Sequence, residues 1–141
     1  MLQVTPLMNS TTFAATLLVR SGLNIGMTFH ATAALTRALE QDDIEVDQQA
    51  AAMWVPPAAT WITIAGGKLR QHCSGQLPSN VSRAASGSLW HGGNEFSLER
   101  WSFWKRRFQE LAAATSSSED VRTYATGAAS HMAILDTEQG E

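Results

Sequence analysis

Only one cysteine, Cys73, stands in the 141 residues. No intrachain disulfide can form, so the cross-linked frameworks of small secreted domains are excluded and a reducing compartment fits best. Charge is scarce as well. Sixteen per cent of the residues are Asp, Glu, Lys or Arg, ten basic against thirteen acidic, for a net charge of −3; a polyanion binder would carry a basic excess instead. Long apolar runs are missing. Arg20, Arg37, Glu40 and the acidic stretch 42–47 interrupt every candidate for the roughly 20 apolar residues that a membrane helix needs. The N-terminal apolar cluster Phe13–Val19 has no basic residue before it, so no signal peptide is read. A cytoplasmic chain with no nucleic-acid or membrane partner is the expectation.

Apolar material is plentiful: 44% of the chain is hydrophobic, with five Trp and five Phe. That content lifts it out of the disordered class, and the length suits one domain. The pattern is helical throughout. Residues 9–20 offer polar caps, Phe13 and Leu17 one turn apart, and Gly22 as a stop. Met27, Ala31, Ala34, Leu35, Ala38 and Leu39 recur at three- and four-residue steps. The acidic run Glu40, Asp42, Asp43, Glu45 and Asp47 reads as a solvated stretch that favours the start of the next helix through its dipole.

Residues 47–53 read as a short helix. Pro56 and Pro57 lack donors and suit a first turn, so a new helix is expected to restart there and run to about Gln71, with Ala58, Trp61, Ile62, Ala65 and Leu69 inward. Gly66 and Gly67 weaken its middle, which close packing against a neighbour would explain. Residues 74–88 hold five Ser and two Gly and are expected to form a mobile loop.

Ser97 then caps the clearest helix, with Glu99 in its first turn and Leu98, Trp101, Trp104 or Lys105, Phe108 and Leu111 on one face. Ser118 caps a last helix that turns Val121, Tyr124, Ala128, Met132 and Leu135 inward. No alternating β-type run occurs. The expectation is an all-α, single-domain bundle of five to six helices over residues 9–136, with one long Ser-rich loop, a tail at 1–8 and an acidic tail at 137–141.

Recognised catalytic patterns fail one by one. Gly66-Gly67-Lys68 is followed by Leu69, and Ile62 stands where a phosphate loop has its leading glycine. His30, His72, His91 and His131 are scattered singly, which gives no metal site, and no cofactor is implied. His72 and Cys73 are neighbours that point about 100° apart on a helix, so a plain buried thiol is expected. Lys105, Arg106 and Arg107 spread around the helix instead of forming a stripe, and are read as solvating its outer face. Trp101 and Trp104 share a face, and Trp90-His91-Gly92-Gly93 puts two rings on glycine-flanked backbone. These four aromatic residues, Trp90, His91, Trp101 and Trp104, are the candidate ligand-binding set. They would wall a pocket for a small apolar ligand.

The order of segments NSTTFAATLLVRSGLNIGMTFHATAALTRALE, WVPPAATWITIAGGKL, LWHGGNEFSLERWSFWKRRFQELA and SEDVRTYATGAASHM resembles the fungal domain-of-unknown-function family 3632. The likeness spans about Leu7 to Met132 and is most specific from Phe96 to Phe108. It implies a filamentous-fungal, intracellular, helical protein and brings no catalytic residue with it. Members of the family carry further helical sequence upstream of the segment matching Asn9. A helix missing from this chain would leave apolar surface for a second copy or another protein to cover. The leading expectation is a non-enzymatic interaction or oligomerisation module. The alternative is a small-molecule binder or cofactor-free enzyme of specialised metabolism that uses the aromatic pocket.

Overall fold

The structure, a computed structural model, describes Thr12, Thr16 and residues 25–41, 44, 47–74, 89, 97–114 and 118–139. Every regular element among these residues is helical: α1 (Ile25–Leu39), α2 (Gln48–Ser74), α3 (Leu98–Ala113) and α4 (Glu119–Gln139). Thr12 and Thr16 are helical too, while the rest of the expected first helix, the Ser-rich segment from 75 to 88 and the two ends of the chain lie outside the described residues. α4 packs along both α2 and α3, and α1 lies mainly against α2 with a smaller contact to α3.

Three stripes at four- and three-residue steps build the core. On α2 it is Ala51, Val55, Ala58, Ile62, Ala65, Leu69 and Cys73; on α3 Trp101, Trp104, Phe108 and Leu111; on α4 Val121, Ala125, Ala128, Met132 and Leu135. All are buried, as are Ala31, Leu35, Ala38 and Leu39 of α1. This is the spacing of one continuous helical face. Tyr124 departs from expectation: it is 40% exposed, and Ala125 holds the inward position beside Val121 and Ala128. Leu98, at the first position of α3, is likewise exposed.

The α2 stripe corrects the expected break at the prolines. A single 27-residue helix contains both Pro56 and Pro57. They withhold the N–H groups that the Ala52 and Met53 carbonyls would accept, at about 3 kcal/mol per proline in a helix interior. The face from Ala51 to Ile62 nevertheless stays in phase, and burial of Val55, Trp61 and Ile62 at about 1.5–3 kcal/mol each offsets that loss. The helix also has a firm start, because Asp47 Oδ1 accepts from Gln49 N and Ala50 N at 3.0 and 3.2 Å.

α3 and α4 begin as their sequences imply. Ser97 Oγ accepts from Arg100 N at 3.1 Å and Ser118 Oγ from Val121 N at 3.2 Å. Gly66 marks the approach of α2 to α4: a Cβ there would stand 2.9 Å from Leu135 Cδ1 and 3.5 Å from His131 Cδ2. Close packing is thus the reason for this glycine in mid-helix.

Candidate functional site

α3 carries tryptophans and cations toward the rest of the fold, and a member of each kind meets in turn one of two carboxylates outside α3. The first match is Glu40, directly after α1. Its side chain is fully buried, and it accepts from Arg100 Nε at 2.7 Å, Arg100 Nη2 at 2.9 Å and Trp104 Nε1 at 2.7 Å. Arg100 Nη2 also donates to Thr36 Oγ1 at 3.2 Å, and the guanidinium lies 5.4 Å from the Trp104 ring centroid. A bidentate pair with an extra neutral donor satisfies a buried carboxylate as few arrangements do. Arg107, two turns after Arg100, sends Nε to the Leu39 carbonyl at 2.8 Å. Two cations therefore serve the C-terminal end of α1, where the helix dipole favours positive charge.

The second match is Asp136 of α4. Its Oδ1 accepts from Arg70 Nε at 2.7 Å and Trp101 Nε1 at 2.8 Å, and its Oδ2 from Lys105 Nζ. Three helices meet at this one carboxylate. Partial burial pushes the Asp136 carboxyl upward, but the hydrogen bonds from Lys105, Arg70 and Trp101 and the Lys105 charge outweigh it and hold the group below its usual range.

Two readings of charge are corrected by this geometry. Glu40, taken with the acidic run as solvated, has no exposed side-chain surface, because Leu35, Ala38 and Leu39 carry it into the core and α3 supplies its donors. Of the basic trio, only Arg106 points outward, its side chain 63% exposed and 3.9 Å from Glu110. Lys105 is held by Asp136, and Arg107 is buried with Nη1 on Glu110 Oε1 at 2.5 Å. The outer face is solvated by one cation of the three.

Of the four candidate ligand-binding residues, Trp101 and Trp104 are core residues whose indole N–H groups donate to different carboxylates, Asp136 and Glu40. Trp90 and His91 lie outside the described residues. An open depression of about 460 Å³ runs along the outer side of α3, lined among the described residues by Leu98, Glu99, Ser102, Phe103 and Arg106, and Arg106 covers the Phe103 ring at 5.2 Å. Trp101 and Trp104 point the other way. Cys73 is buried as expected; burial pushes its thiol up to about 12 against the pull of a Ser97 backbone hydrogen bond and of Arg100 and Arg70, so it is no nucleophile at neutral pH. Among the described residues no group of three His, Cys, Asp or Glu is placed to hold a metal, and no helix is long and apolar enough to cross a membrane.

Sequence reasoning missed Glu40, Thr36, Arg70 and Asp136. A signal was present in each case. Thr36 and Glu40 are one turn apart beside Leu35 and Leu39, Arg70 precedes the buried Cys73 by three, and Asp136 follows Met132 by four, so each ionisable residue sits in phase with a buried face.

The chain belongs to the family described as Protein of unknown function (DUF3632), whose model matches residues 2–108. Thr36, Glu40, Arg100 and Trp104 lie inside the matched stretch. It ends at Phe108, short of the Met132 that the segment resemblance reaches, and α4 with Asp136 lies beyond it. No curated protein and no solved structure matches the chain.

Proposed function

We propose that this chain is a non-enzymatic helical interaction module that associates with a second copy of itself. The observation that carries the reading is the outer face of α4. From Thr123 to Thr137, over roughly 21 Å of helix, its exposed residues are Thr123, Tyr124, Thr126, Gly127, Ser130, Ala133, Ile134 and Thr137. None is charged. Tyr124 and Ile134 expose 40% and 53% of their surface, whereas the exposed positions of α3 include Glu99, Arg106 and Glu110. A helix face of small neutral residues flanked by two large apolar ones suits another helix better than it suits water. The inward groups support a structural role: Glu40 is sealed, Cys73 is neutral, and Trp101 and Trp104 are bound to carboxylates. Their engagement offers the small-molecule alternative little free aromatic wall.

Sedimentation equilibrium of the full chain and of Ile134→Glu tests the proposal. The unchanged chain is expected to show concentration-dependent association. Ile134→Glu is expected to be monomeric with the same helicity and, at concentrations too low for association, the same urea midpoint, because in the single chain the side chain it replaces is mostly in water. A full chain that stays monomeric at every concentration, or an Ile134→Glu variant that associates equally well, refutes the reading.

A further inference from the structure

Asp136 takes three donors on its two oxygens, while its cations have fewer acceptors than they can use. Its two oxygens receive Arg70 Nε, Trp101 Nε1 and Lys105 Nζ. Arg70 uses only Nε in this contact. Among the described residues neither of its Nη nitrogens has a hydrogen-bond partner, and neither is sealed from solvent, although the side chain is only 8% exposed. An arginine paired with a carboxylate frequently sets its planar fork on both oxygens. Here the second oxygen goes to Lys105, so a rigidly held guanidinium edge opens to solvent with no acceptor.

The charges point the same way. Arg70 and Lys105 bring two cations to one carboxylate, and Lys105 and Asp136 are each 26% exposed. One positive charge is left over at a partly sheltered spot. The ammonium has three N–H groups and uses one on Asp136. Two like charges held on the two oxygens of a single carboxylate repel each other, and an anion that reaches both relieves that repulsion.

We infer that the Arg70 guanidinium edge and the Lys105 ammonium form, beside Asp136, a binding site for an oxyanion of the phosphate class. The anion takes the open Nη donors and the spare ammonium N–H groups, and Asp136 holds both cations in place. The site draws on α2, α3 and α4, so an occupied site braces three helices. It does not depend on the outer face of α4.

The test uses the full chain titrated with inorganic phosphate at constant ionic strength, with the indole N–H groups followed by proton–nitrogen correlation spectra. Trp101 reports from inside the site, and Trp104, sealed on Glu40, is the internal control. The expected result is a saturating shift of the Trp101 resonance, a still Trp104 resonance and no such response to chloride. Lys105→Gln is expected to raise the half-saturating concentration about tenfold, the scale of one charge-assisted hydrogen bond. Arg70→Lys keeps the charge but removes the fork, and is expected to weaken binding as well; circular dichroism checks that each variant is folded. A phosphoserine peptide, run in parallel, separates a modified side chain from the free anion as the source: tighter binding of the peptide assigns the former, tighter binding of phosphate the latter. A linear drift common to both indoles, or a half-saturation unchanged in both variants, overturns the site.

Discussion

Removing either member of the Glu40–Arg100 pair should damage this protein more than removing both. The two side chains have no exposed surface and are joined through 2.7 and 2.9 Å hydrogen bonds. At an effective dielectric of about 20, two unit charges some 4 Å apart attract by about 4 kcal/mol. Arg100→Met leaves a carboxylate in the core with Trp104 Nε1 as its remaining side-chain donor from α3. Breaking a buried pair in this way costs about 3–5 kcal/mol. Glu40→Gln leaves the guanidinium charge buried and sets an amide NH2 against one of its donors, for a loss on the same scale. Against a total stability of about 5–15 kcal/mol for a domain, either change removes a large share.

The double variant, Glu40→Gln with Arg100→Met, removes both buried charges of this pair together. Its glutamine oxygen can still accept from Trp104, so its loss should be about 2–4 kcal/mol, well under the roughly 6–10 kcal/mol that two independent losses would give. Urea unfolding followed by circular dichroism supplies all four corners of the cycle, and tryptophan emission reports the surroundings of Trp104 directly. Additive single losses would refute the reasoning, since they would mean that Glu40 and Arg100 do not depend on each other for their place in the core.

Gly127 sits on α4 with nothing within 4 Å of a Cβ built on it, so Gly127→Ala should raise stability by about 0.5–1 kcal/mol, measurable as a higher urea midpoint. Gly66→Ala should gain less, because its Cβ would meet Leu135 Cδ1 at 2.9 Å and that side chain would have to shift; a gain equal to that of Gly127→Ala would show that Leu135 turns aside at no cost. Cys73 keeps its proton in the folded chain up to about pH 12, whereas an unfolded thiol ionises around its ordinary value of 9.0. The unfolded state therefore binds fewer protons above pH 9 and stability falls there, by about 1.4 kcal/mol at pH 10, a slope that Cys73→Ala should remove. Asp136 has a depressed folded value. Its contribution is present above the unfolded carboxyl range and is lost as pH falls through the folded value, so Asp136→Asn should be less stable at pH 7 and show a flatter loss on acidification.

Most of the fold was legible because the same four-three rhythm sets three of the four helices. Ala58, Ile62, Ala65 and Leu69 could be read as one face from spacing alone, and so could Trp101, Trp104, Phe108 and Leu111. The prolines misled because a local rule about missing donors was set above the phase of the stripe. Ala51 and Val55 lie four apart and run into Ala58 and Ile62 without a shift, and an interrupted helix would have lost that register. Tyr124 misled for the opposite reason. It stands three after Val121 and four before Ala128, while Ala125 stands four after and three before, so spacing does not choose between them, and the crowded approach of α4 to α2 and α3 admits the smaller residue.

The carboxylate centres were harder to see, because a charge pattern on one segment does not tell which charges will find partners on another. Glu40 heads an acidic run, and Arg100 stands 60 residues away; in one dimension each looks like surface. What distinguishes them is phase. Thr36 and Glu40 continue the buried side of α1 past Leu35 and Leu39, and Arg100, Trp104 and Arg107 recur on one side of α3. A charge that falls in phase with apolar neighbours must either break the helix face or meet an opposite charge, since an unpaired buried ion is too costly to keep. By that rule Glu40 demands a cation and Arg100 an anion, and both demands are met at one place. The same rule applied to Arg70 and Lys105 leaves one cation over. That surplus is what separates the two centres: the Glu40 cluster is closed and serves the fold, and the Asp136 cluster still has donors to give.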